Sequence, residues 1–182
     1  MTEPTTPRAE IPAVRNADRA APAESFVFPV ALVLDNLRSA FNVGNIFRLA
    51  EATRAETIFC CGYTAAPPHA KLAKTARGCE QLVACRQVPT ALGAVRDLRD
   101  RGYRIYGVET VAGAGSIWDV RFTFPAALVF GNEALGVAAE TLGLCDEFVE
   151  LPCYGVKNSV NVANSAAVTL YAALRQWQAG AQ

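Results

Sequence analysis

The chain has 182 residues, 52% of them hydrophobic, and its 17 basic side chains balance 17 acidic ones to a formal net charge of zero. This length and apolar fraction suit one α/β domain with a tail, and neutrality argues against broad, tight, non-specific nucleic-acid binding, though a local basic patch can act on a neutral protein. No apolar run approaches the roughly 18 residues of a membrane span, and the N-terminus lacks the apolar stretch of a signal peptide, so neither is expected.

Residues 1–25 are rich in Pro, Ala, Thr and charge, with almost no large apolar side chains, and read as a disordered tail before a domain over 26–182. The run VALVL at 30–34 has the pattern of a strand buried on both faces. A helix is expected over 42–54, with Val43, Ile46, Phe47 and Ala50 on one face, then a buried strand over 57–61. The pattern repeats: helix 71–77, strand 81–85, amphipathic helix 91–100, strand 104–108, strand 126–130, helix 135–142, strand 147–151 and a last helix over 159–178. Alternating apolar strands and helices imply a parallel sheet covered by helices. Ligands of such sheets bind beyond the carboxyl ends of the strands.

Three segments placed there carry more polar residues and glycines than turns need. In the first, Asn42 is a plausible N-cap, and Gly44 and Arg48 follow. In the second, an apolar strand runs into Gly131, Asn132 and Glu133, with Gly136 beyond; an acidic residue there favours a following helix, and glycine permits close backbone approach. In the third, Leu151 and Pro152 lead to Gly155, Lys157, Asn158 and Ser159, and the helix opens with Val160, Asn161 and Asn164. Ser159 can cap that helix, but asparagines are poor helix formers and stability alone gives little reason for this composition.

Taken in order, the segments resemble the signatures of the SpoU, or TrmH-like, RNA ribose 2′-O-methyltransferases of the SPOUT superfamily. The match rests on Asn42, Gly44 and Arg48; on Phe130, Gly131, Glu133 and Gly136; and on Leu151, Pro152, Gly155, Ser159, Asn161 and Val162, across residues 36–170. Cys153 and Val160 stand where Met and Leu are common, and both keep an apolar side chain. The stretch from Pro67-Pro68 to Glu80 also looks like one branch of the family.

The resemblance implies a parallel sheet flanked by helices, a C-terminal trefoil knot and a homodimer with active sites at the subunit interface. Chain patterning alone would not suggest a knot. It also implies S-adenosyl-L-methionine as cofactor, met by positions Gly131, Leu151 and Val160. Arg48 would be the central catalytic group, as base, as electrostatic stabiliser or as phosphate clamp. Asn42 would orient Arg48 or the ribose, Glu133 would shape the pocket, and Ser159 and Asn161 would position loop and substrate.

Lys71, Lys74 and Arg77 share a helical face by spacing, and with Lys157 they are candidates for gripping RNA, against the alternative of a solvated basic face. The expected substrate is transfer RNA; ribosomal RNA, or a catalytically silent RNA-binding protein of the same fold, are the alternatives. With six cysteines in no C-x-x-C pair and one histidine, His69, free thiols in a reducing cytoplasm are expected and no metal site.

Overall fold

In the computed structural model, residues 26–180 are described. The expected tail over 1–25 lies outside them. Seven strands form one parallel sheet: β1 (Phe28–Asp35), β2 (Ala55–Cys61), β3 (Cys85–Val88), β4 (Arg104–Val108), β5 (Gly115–Ser116), β6 (Ala126–Phe130) and β7 (Glu147–Glu150), in the order β3-β2-β1-β6-β4-β7-β5. Among the described residues, α1 (Ala40–Thr53), α2 (Ala70–Ala76), α3 (Ala91–Asp100) and α4 (Ala139–Leu142) lie between strands, and α5 (Val162–Gly180) follows the last one. Among the described residues, no helix is long and apolar enough to cross a membrane.

The central strands carry unbroken apolar runs, VALVL in β1 and AALVF in β6, because both sheet faces are covered there. Val30, Leu32 and Leu34 join a core with Val43, Ile46 and Phe47 of α1 and Ala166 and Leu170 of α5. The alternate residues, Ala31 and Val33, face Val95 and Leu98 of α3 on the other side. Gly44 lets α1 approach α2 closely: a Cβ there would collide with Thr75 Oγ1 and the Leu72 carbonyl.

Four expected boundaries are corrected. The first helix begins at Ala40 and its N-cap is Ser39, whose hydroxyl accepts from Asn42 N at 3.3 Å; Asn42 lies inside the first turn. The strand expected over 81–85 runs instead over Cys85–Val88, because a 3₁₀ turn at Cys79–Gln81 takes the Leu82 and Val83 amides onto the Cys79 carbonyl. The helix expected over 135–142 is confined to α4. Asn132 Oδ1 accepts from Ala134 N at 2.9 Å and Leu135 N at 3.0 Å, and Gly136 is left-handed at φ 71°, so this stretch closes as a turn.

Last, α5 begins at Val162 and its cap is Asn161, not Ser159: Asn161 Oδ1 accepts from Ala163 N at 2.9 Å and Asn164 N at 3.4 Å. The short edge strand β5 falls outside the expected elements; two residues carry no periodicity.

Candidate active site

A cleft of about 310 Å³ opens beyond the carboxyl ends of β4, β6 and β7. That size falls in the roughly 300–1,000 Å³ range of small-molecule sites. Its walls include Val108, Phe130, Val149 and Leu151 from strand ends, and Ser159, Val160 and Asn161 from the loop entering α5. Gly131 and Glu133 line it from the turn after β6. Gly131 admits no side chain, since a Cβ would run into the backbone of Gly136 and Val137.

The three segments singled out in the sequence meet at the rim. Glu133 Oε1 accepts from the Asn42 side-chain amide at 2.8 Å and from Ser39 N at 3.1 Å, while Oε2 accepts from Arg38 N at 2.8 Å. Asn161 Nδ2 in turn donates to Asn42 Oδ1 at 3.2 Å. Glu133 thus sits at the N-terminus of α1, a helix distant in sequence, where free N–H groups and the helix dipole favour a carboxylate. Partial burial pushes its pKa up, but the hydrogen bonds from Arg38 N, the Asn42 amide and the neighbouring backbone outweigh this, and the pKa is lowered.

The sequence profile described as the SpoU rRNA Methylase family matches residues 29–171. The chain belongs to this family. It is 31% identical over 147 residues to a tRNA (guanosine(18)-2′-O)-methyltransferase of Thermus thermophilus, covering 81% of this chain and 75% of the relative. It is 30% identical to the 23S rRNA (guanosine-2′-O-)-methyltransferase RlmB of Vibrio parahaemolyticus, covering 81% of this chain and 60% of that one. Among solved structures, the SpoU methyltransferase AviRb of Streptomyces viridochromogenes in complex with AdoMet aligns with a TM-score of 0.73 at 29% identity, over 82% of this chain and 61% of AviRb.

Within this SpoU fold, the expected residues divide into two groups. Asn42, Glu133 and Asn161 form one hydrogen-bonded corner, and Gly131, Leu151, Ser159 and Val160 line the cleft beside it. Arg48 does not line the cleft. It is exposed on α1, where its charge partly offsets the rise that burial and the Glu51 carboxylate impose on the pKa of the Cys79 thiol. Lys157 is exposed in the loop before α5. Lys71 and Lys74 are exposed on α2, but Arg77 leaves their face because it is the left-handed C-cap, at φ 56°.

Sequence reasoning missed two residues. Asn132, only 6% exposed, holds the turn through Oδ1 and donates through Nδ2 to Asn36 O at 2.7 Å and Tyr63 Oη at 2.6 Å. Its position between Gly131 and Glu133, together with asparagine's preference for turns, was the available signal. Glu109 follows β4 and accepts from Val137 N at 3.1 Å and Thr110 N at 3.1 Å, so it braces the cleft floor. An acidic residue just beyond an apolar parallel strand was again the clue.

Proposed function

We propose that this chain transfers a methyl group from S-adenosyl-L-methionine to a ribose 2′-hydroxyl of RNA, and that the RNA is a transfer RNA. The observation that carries the reading is the corner where Glu133, Asn42 and Asn161, from three separate segments, join at the rim of a cleft beyond the strand ends. The transfer-RNA assignment rests on the relative acting on guanosine 18 of tRNA, most of whose length this chain spans. The relative acting on 23S rRNA favours ribosomal RNA as the second reading.

The cleft suits the cofactor. Val108, Phe130, Val149 and Leu151 offer apolar walls to a planar base, and the carboxylates of Glu109 and Glu133 favour a cationic centre. Gly131, Leu151 and Val160 would hold it. When bound, it supplies an electrophilic methyl group on a sulfonium. Asn42, fixed between Glu133 and Asn161, presents a positioned amide at the rim, and positioning is a large part of the barrier in such a displacement. Ser159 adds a hydroxyl on the same wall.

A guanidinium carries a delocalised charge on a planar fork of donors, so the role of Arg48 would be to stabilise negative charge on the 2′-oxygen or to clamp a neighbouring phosphate. Because Arg48 lies off the cleft of its own chain, a homodimer in which a second copy supplies it is part of this proposal. Lys157, Lys71, Lys74 and Arg77 would contact RNA phosphates. A trefoil knot is also part of it. The support is the strand order, in which the chain passes from β6 across β4 to β7, and a hydrogen bond from Thr110 Oγ1 to Asn158 O, 3.3 Å, between the loops after β4 and β7. The cytoplasm is the expected compartment, since RNA is modified there.

Incubation with methyl-labelled S-adenosylmethionine and separated transfer and ribosomal RNA fractions tests the reading. Label should enter RNA as alkali-resistant linkages, with the transfer-RNA fraction dominant. No label in RNA from several sources would overturn the enzyme assignment.

A further inference from the structure

A second cleft, of about 600 Å³, lies on the other side of the entry to α1 and is lined by Arg38, Phe41, Tyr63, His69, Lys71 and Gln87 among others. It is separated from the first cleft by a single layer of hydrogen bonds: Arg38 and Ser39 line the second cleft while their N–H groups donate to Glu133 of the first.

Tyr63 is its central member. The residue is 62% exposed, yet it is held through both its backbone and its hydroxyl. Its N–H donates to Asn36 Oδ1 at 3.3 Å, and its hydroxyl oxygen accepts from the buried amide of Asn132 at 2.6 Å. An aromatic ring held in place but left open to solvent is a platform for stacking, at little entropic cost when something lands on it. Phe41, 47% exposed, adds a second aromatic to the same cleft.

The polar lining fits the same kind of ligand. Among the described residues, Arg38 and Lys71 have no carboxylate within ion-pairing distance. Gln87 stands at the end of edge strand β3 with both a donor and an acceptor to offer. His69 Nδ1 accepts from Leu72 N at 3.3 Å, which leaves Nε2 as a donor. Exposed rings, free cations and an amide together recognise an unpaired base with its phosphate. A duplex keeps its bases stacked and would present none to the ring.

We propose that this second cleft binds an unpaired nucleotide of the RNA substrate, with its base stacked on Tyr63 and its phosphate facing Arg38 and Lys71. The proposal rests on the RNA-methyltransferase reading for its ligand. It goes beyond that reading by assigning where single-stranded RNA is held.

The test uses the full chain and a single-stranded RNA oligomer carrying one 2-aminopurine, whose fluorescence falls on stacking. The wild type should quench it. Tyr63→Phe, which keeps the ring and loses the hydroxyl, should quench as well. Tyr63→Ala should lose the quenching and weaken binding about tenfold, in line with the value of one stacked base. Lys71→Ala should lower the salt slope by roughly one contact. Thermal melts followed by circular dichroism report that each variant is folded.

Equal loss in Tyr63→Phe and Tyr63→Ala would overturn the proposal, because the effect would then run through the Asn132 anchor. So would unchanged binding in Tyr63→Ala, or quenching of a free 2-aminopurine mononucleotide with none of the oligomer. Tyr63-dependent quenching with no methyl transfer to any RNA sinks the enzyme reading and leaves the cleft assignment standing. Methyl transfer with indistinguishable variants does the reverse.

Discussion

Arg48 and Glu133 are the two side chains on which most turns. Arg48→Lys keeps the charge but loses the planar fork, so turnover should fall by about a hundredfold, the scale of losing one positioned donor. Near-normal kcat in RNA methylation assays would remove Arg48 from its proposed role. Glu133 gives a pH prediction. Its pKa is lowered in the folded state by the amides it accepts from, so the proton binds more readily to the unfolded chain. Its contribution is complete above the unfolded carboxylate value, about 4.3, and is lost as pH falls through the lower folded value. Because the group is well exposed, the effect is modest. Thermal melts of wild type and Glu133→Gln should differ at neutral pH and converge below that window; a constant gap down to the acid end would show that the charge is not what matters. The place of Glu133 beside the cleft was legible in the sequence, through the resemblance of its segment to the family's signature. The partners of Glu133 were not, since Arg38 and Asn42 lie 95 and 91 residues earlier in the chain.

At the scale of elements, α1 is fixed at both ends and along its side. Ser39 takes the Asn42 amide of its first turn, Glu133 holds the Arg38 and Ser39 amides just ahead of it, the Arg54 cap closes its last turn, and Gly44 sets its distance from α2. Gly44→Ala should therefore cost about 1–3 kcal/mol, the usual cost of forcing a methyl group into packed backbone. Urea denaturation checks this, with the exposed neighbour Asn45→Ala as the control expected to be near neutral. The turn after β6 behaves in a similar way. Gly131→Ala should abolish S-adenosylmethionine binding, measured by calorimetry, because the Cβ would displace the Gly136–Val137 backbone that shapes the cleft. The continuous strands were legible because burial on both faces leaves unbroken apolar runs. The boundaries around 81–85 and 135–142 were not. There, hydrogen bonds from single side chains or tight turns take up the backbone amides, and hydrophobic pattern carries no record of them.

At the scale of the whole molecule, the proposal turns on whether a second copy brings Arg48 to the cleft. If a second copy supplies it, co-expressed Arg48→Ala and Asn161→Ala chains, each inactive alone, should regain activity in mixed dimers, with about a quarter of sites intact under random pairing. No recovery, or a solution mass equal to a single 19.4 kDa chain, would place Arg48 in its own subunit's site or outside the chemistry. The sequence by itself determined the fold class, the buried central strands and the three segments that contribute to the cleft and its rim. It could do so because both-face burial and special backbone positions are written into residue type. Only the tertiary structure decided the order of strands in space, with β6 inserted between β1 and β4, and hence that Asn42, Glu133 and Asn161 touch. It also decided that Arg48 stands apart from them and that Tyr63 is held open beside a second cleft. Those facts depend on which distant backbone amide meets which side chain, and pairing of that kind leaves no period for a sequence to display.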